Sequence, residues 1–193
     1  MNLNKQKSIS RLYSIATFPE KGFNYLAIPK CGTTTMLWYL LDRPDLVDVK
    51  QVHHPRYVKY ITPQDAMNNG LTTFATIREP FSRIRSMYKY MCDDIPIQDF
   101  VDRVISEDDK TTNLHFRSMT YYLNLIPDVS LAILENINQY DWLKELCCAD
   151  KIISHNTTKS RNVMFSESQM LLLSDRYKQD IELYYGEVSK WST

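Results

Sequence analysis

The feature that most constrains this chain is one arrangement met at two places: a short apolar run, a tight polar turn, and then a helix with an apolar side. Phe23-Asn24-Tyr25-Leu26-Ala27-Ile28 is the first compact apolar run, and Pro29 closes it, which suits a buried strand. After a turn, the cap-type residues Thr33, Thr34 and Thr35 precede Met36-Leu37-Trp38-Tyr39-Leu40-Leu41, apolar on nearly every side as in a helix enclosed by other layers, with Pro44 expected to stop it. The second place is Thr72–Ile77, followed by Arg78-Glu79-Pro80, where Pro80 suits the first helical position. Phe81, Ile84, Tyr88 and Met91 then make one stripe, with Ser82, Ser86 and Lys89 on another side. Further on, 97–105 reads as a helix, 131–134 as a strand, 136–146 as a helix, and 166–185 as one or two helices. Strands alternating with helices predict an α/β, three-layer fold in which helices flank a mostly parallel central sheet.

Length and composition set bounds on this picture. With 193 residues, 44% of them apolar, and no Ser/Gly linker, residues 1–193 are expected to form a single domain, with 1–20 a loosely structured lead-in. The 23 basic and 23 acidic residues cancel, so no global attraction to nucleic acid or to an anionic membrane is expected, and any anion site must be local. No apolar run reaches the 18 or so residues of a membrane span, and the first residues lead into no apolar signal core. A soluble cytoplasmic protein with no membrane span is the expectation. Cys31, Cys92, Cys147 and Cys148 form no C-x-x-C pair and have no histidines at zinc spacing, so reduced thiols and no metal site are expected.

The first turn has the makings of an anion site. A strand that ends in a tight turn and feeds a helix presents unpaired N–H groups and the positive end of the helix dipole. Pro29-Lys30-Cys31-Gly32-Thr33-Thr34-Thr35 adds an ammonium, a glycine that lets the backbone approach closely, and three hydroxyls. Lysine precedes the only glycine, so this is not the G-x-x-x-x-G-K-[ST] loop of ordinary ATPases and kinases. A thiol at such a helix start is expected to have some incidental reactivity.

Ile28–Thr35 closely resembles the 5'-phosphosulfate loop of the sulfotransferases that use 3'-phosphoadenosine 5'-phosphosulfate (PAPS). Ile77–Tyr88, an Arg-acidic-Pro at a strand end with Ser86 eight residues after Arg78, resembles the 3'-phosphate motif of the same family. His115-Phe116-Arg117-Ser118, Leu134-Glu135-Asn136, Ser154-His155-Asn156-Thr157 and the stretch 177–185 are similar to segments of its carbohydrate, Golgi-type branch. The resemblance implies a P-loop-containing fold and transfer of a sulfuryl group from PAPS, without a metal, to a hydroxyl on a carbohydrate-like acceptor, releasing PAP. It further implies that Pro29, Lys30, Cys31, Gly32, Thr33, Thr34 and Thr35 hold the 5' end, with Lys30 stabilising charge on the leaving oxygen. Arg78 and Ser86 would hold the 3'-phosphate, and Lys159, Ser160 and Arg161 are the candidates for a basic segment that closes on the nucleotide.

Transfer to an alcohol needs a base within hydrogen-bond reach of the hydroxyl. His53 and His54 are the candidates, with His54 slightly preferred, because the uronosyl branch of the family carries a base histidine in this region. His115 and Arg117 correspond to substrate contacts, and Glu135 to a structural position. Two other readings compete: a P-loop nucleotide kinase-like enzyme, and a PAP-binding relative without catalysis.

Overall fold

A computed structural model describes residues 14–42, 48–92, 94–153 and 163–190. Five strands, β1 (Ile15–Phe18), β2 (Phe23–Leu26), β3 (Lys59–Ile61), β4 (Thr72–Ile77) and β5 (Ser130–Ile133), form one open sheet in the order β3-β1-β2-β4-β5. The helices are α1 (Thr33–Leu41), α2 (Pro63–Asn68), α3 (Pro80–Met91), α4 (Ile97–Ser106), α5 (Met119–Leu123), α6 (Asp141–Leu146), α7 (Glu167–Arg176) and α8 (Lys178–Ser189).

The expected α/β class holds, but the sheet is mixed. β2, β4 and β5 pair in parallel, whereas β1 runs antiparallel to both β2 and β3. The reason is the short link between β1 and β2. Pro19–Lys21 forms a single 3-10 turn ended by Gly22 at φ 78, and a link of that length can only reverse the chain. The lead-in expectation is corrected at the same place, since Ile15–Phe18 is a fully buried strand. Residues 1–13 lie outside the described residues.

β4 has the expected bounds, and five of its six residues are buried in succession, so both sides of the sheet centre are covered. On one side the rings of Phe23 and Tyr25 meet Phe74 at 5.4 and 5.0 Å, and Trp142 of α6 adds an edge-on contact to Phe74. A second core joins α3, α4 and α7 through Ile84, Met87, Phe100, Val104, Phe116, Leu173 and Tyr177. The helix expected over 136–146 is a 3-10 turn (Leu134–Gln139) followed by α6. They part at Tyr140, which is buried and whose hydroxyl accepts the Ile133 N–H at 2.9 Å. The 166–185 stretch divides at Tyr177, whose buried hydroxyl donates to the Phe116 carbonyl at 2.6 Å. Among the described residues no helix is long and apolar enough to cross a membrane.

Because β2 and β4 are parallel neighbours, their C-terminal ends lie side by side, and the turns into α1 and α3 emerge at one edge of the sheet. Open α/β sheets place ligands beyond such strand ends.

Candidate functional site

Between β2 and α1 the backbone visits the left-handed region twice, at Lys30 (φ 67) and at Gly32 (φ 81). Glycine carries its turn without penalty, whereas the lysine stores strain of about 1–2 kcal/mol. A side chain at Gly32 would also meet Leu134, since an added Cβ would lie 2.6 Å from Leu134 Cδ1. No side chain caps α1, and its first internal bond runs from Met36 N–H to Gly32 O at 3.0 Å. The N–H groups of Thr33 and Thr34 therefore have no acceptor inside the helix.

Every carbonyl of the turn, by contrast, is occupied. Ile28 O accepts the Cys31 N–H at 3.2 Å and the Thr33 hydroxyl at 2.8 Å. Pro29 O accepts Arg83 Nε at 3.1 Å, Lys30 O accepts an Arg78 terminal nitrogen at 3.3 Å, and Cys31 O accepts the Thr76 hydroxyl at 2.6 Å. Three of these donors come from β4, the turn after it and α3. The second strand-turn-helix segment thus engages the carbonyls of the first, while the Thr33 and Thr34 N–H groups at the helix start keep no acceptor inside the helix, an arrangement suited to an anion.

Lys30 Nζ lies 4.0 Å over the ring centre of Tyr90, an exposed residue near the end of α3. Burial, then Arg78 and Arg83, lower its pKa to about 8. A cation held this way favours a bound anion. Arg78 also lies 3.9 Å from the Glu135 carboxylate, and its Nε has no hydrogen-bond partner among the described residues. Glu135 further accepts the Glu79 N–H and the Tyr184 hydroxyl, which agrees with a structural position. Glu79 itself caps α3 by accepting the Phe81 and Ser82 N–H groups. Ser86 is half-buried on α3, about 9 Å along its axis from the helix start. Its hydroxyl has no partner among the described residues.

The loop threonines take separate parts. Thr33 closes the turn, and the Thr34 hydroxyl is 2.8 Å from Nε2 of His53, at the end of the 3-10 turn Val49–His53 that packs against α1. Loss of surrounding water lowers the His53 pKa. His54 is exposed, its Nδ1 accepts the Arg56 N–H at 3.1 Å, and its ring meets Tyr57. The structure therefore brings His53, rather than His54, to the loop. His115 also belongs to the site, with its ring centre 5.2 Å from that of Tyr90. Arg117 lies over Tyr121 and donates to the carbonyl of Lys110. Lys159, Ser160 and Arg161 lie outside the described residues.

The reactivity expected of Cys31 is corrected. Its thiol is fully buried against Met119, and burial pushes its pKa up to about 12. The four cysteines are free. Among the described residues no group of three or more His, Cys, Asp or Glu could hold a metal ion.

Two residues behind the loop, both inside segments that carry the resemblance, have no role assigned from the sequence. Arg83 is 1% exposed, donates to the carbonyls of Pro29 and Arg117, and pairs with the equally buried Asp180 at 3.6 Å. Asp180 also caps α5 by accepting the Met119 and Thr120 N–H groups at 2.8 and 2.9 Å. The stripe expected through Phe81, Ile84, Tyr88 and Met91 is turned in the structure to Pro80, Arg83, Ile84, Met87 and Tyr88, which takes Arg83 inside, where a charge needs a buried partner. A cavity of about 350 Å³ elsewhere, lined by residues that include Ser118, Arg176 and Lys178, shares Asp180 with this network and does not include the loop.

No family model, no curated protein and no solved structure matches this chain.

Proposed function

We propose that this protein is a PAPS-dependent sulfotransferase that moves the sulfuryl group to a hydroxyl of a carbohydrate-like acceptor and releases PAP. The observation that carries the reading is the polarity of the first turn: its five successive carbonyls, Ile28 to Gly32, are all engaged, while the N–H groups at the uncapped start of α1 and the Lys30 ammonium remain for an anion. Arg78 adds a second cation, whose guanidinium donates to the Lys30 carbonyl of the same loop and is available to a second phosphate group.

On this reading the N–H groups of Thr33 and Thr34 hold the 5'-phosphosulfate, and Lys30 stabilises the charge that grows on the bridging oxygen as the sulfur–oxygen bond breaks. Arg78 and Ser86 hold the 3'-phosphate, which competes with Glu135 for the Arg78 guanidinium. The order of lysine and glycine speaks against a kinase-type loop.

The test is calorimetric titration with PAP and, separately, with ATP and magnesium. PAP binds and magnesium-ATP does not, and Lys30→Ala and Arg78→Ala each weaken PAP at least tenfold and abolish transfer. Equal affinity for the two nucleotides, or full turnover in Arg78→Ala, refutes the assignment. PAP binding with no transfer to a panel of sugar, phenol and peptide acceptors would favour the non-catalytic relative.

A further inference from the structure

His115 is better placed than either member of the His53-His54 pair to take a proton from the acceptor. Its Nδ1 is buried and has no hydrogen-bond partner among the described residues. Leaving a buried polar atom unpaired costs about 1–3 kcal/mol, so such a nitrogen in a half-buried residue beside an anion site points to a ligand. Tyr90 relates it to the reacting end of the loop. The tyrosine ring centre is 5.2 Å from that of His115 and 4.0 Å from Lys30 Nζ, so imidazole and ammonium are at most about 9 Å apart. A separation within that bound lets both groups reach one sulfuryl transfer, the imidazole at the acceptor and the ammonium at the leaving oxygen. The Nε2 of His53 is tied to the Thr34 hydroxyl of the loop, and the Nδ1 of His54 accepts the Arg56 N–H, which puts the proton of the neutral ring on Nε2 and leaves that nitrogen unable to act as a base.

We propose, resting on the sulfotransferase reading, that His115 is the general base for the acceptor hydroxyl and that His53 positions the phosphate loop through Thr34. The acceptor oxygen forms its bond to sulfur as the bond from sulfur to the bridging oxygen breaks, and that electron pair stays on the 5'-phosphate of PAP beside Lys30. The acceptor proton passes to the free ring nitrogen of His115 and from there to solvent.

The surroundings give the ring the protonation state this needs. Burial first, then Lys30 from the loop, Arg83 from α3 and His53 from the 3-10 turn, hold its pKa to about 4, so it is neutral near pH 7. A donor with several negative charges offsets those cations and makes the ring more basic as the complex forms.

The test uses the full chain with carbon-13-labelled histidine, assigned through single His→Gln variants. Saturating PAP shifts the ring signals of His115 and raises its titration midpoint. In parallel, PAP release from PAPS is followed with the acceptor panel, with PAP affinity measured on the same samples. His115→Gln lowers kcat at least 100-fold, as removal of a general base does, with the PAP dissociation constant within twofold of wild type. His53→Gln raises that constant and KM for PAPS, with a smaller loss in kcat. His115 signals that do not move while PAP binds, or a His115→Gln kcat within threefold of wild type, overturn the assignment of the base and leave the donor reading standing. Failure of wild type to bind PAP overturns both.

Discussion

Replacing Arg83 with methionine, which keeps the length of the side chain and removes its charge, tests whether the turn between β2 and α1 is held from behind. Arg83 is 1% exposed and supplies donors to two carbonyls and a counter-ion to Asp180, which is also 1% exposed. Removing one partner of a buried pair strands the other, at about 3–5 kcal/mol, a large part of the ~5–15 kcal/mol that holds a domain together. For a chain of this size the same loss lowers Tm by roughly 6–20 °C. Urea unfolding of Arg83→Met, Asp180→Asn and the double variant completes a cycle, in which the double variant recovers about 1–3 kcal/mol relative to the sum of the singles. The pH dependence has a fixed sign. Burial raises the Asp180 pKa and Arg83 opposes the rise, so without Arg83 the carboxyl is pushed further up. A folded-state pKa above the unfolded value means that the native state binds more protons, so acidification favours it. The deficit of Arg83→Met therefore shrinks as the pH falls. A cost below about 1 kcal/mol, additive singles, or a deficit that grows on acidification would refute the buried-pair argument.

Gly32→Ala meets both a left-handed backbone and Leu134, and it destabilises the protein by about 1–3 kcal/mol in urea unfolding. Adding Leu134→Ala returns only the steric part. On the proposed reading, because the Lys30 pKa lies at about 8, binding of PAP near pH 8 takes up about half a proton, read from calorimetry in buffers of different ionisation enthalpy, and Lys30→Arg removes the uptake. Of the four thiols, Cys148 is exposed and reacts quickly with a thiol reagent, whereas Cys31, Cys92 and Cys147 are buried and react at the rate of unfolding. Mass-spectrometric mapping that finds Cys31 labelled early would contradict the closed loop.

The parts of the fold legible in the sequence are those whose reasons are local. Thr72–Ile77 reads as a strand from its apolar run, and Pro80 marks the start of α3 because its missing N–H costs nothing there. The Thr62 and Asp65 pair that boxes the start of α2 is local too and could have been read, yet no expectation covered that segment. β1 and β3 are different. Ile15–Phe18 is buried on both sides, so it shows no alternation, and its strand form depends on pairing with β2 and β3. β3 is a three-residue edge strand with Lys59 in solvent, too short for any period to register.

The same division runs through the candidate site. Lys30 and Gly32 stand out because a turn before a helix makes their residue types informative. Arg83 does not, because its meaning lies in contacts far away in sequence, such as the Pro29 carbonyl 54 positions before it, and His115 is marked only by resemblance, as a substrate contact. Arg78 is legible in type, but not in what it touches. Arg83, Arg78 and Thr76 grip the successive carbonyls of Pro29, Lys30 and Cys31, so the second segment shapes the first before any ligand arrives. That arrangement accounts for the strained Lys30 backbone: three donors fixed in β4, its following turn and α3 hold the peptide planes in an orientation that the loop residues alone would not favour. If the turn binds phosphate as proposed, a site built in this way needs little reorganisation on binding, and its affinity depends on the spacing of β2 and β4 as well as on the residues of the loop.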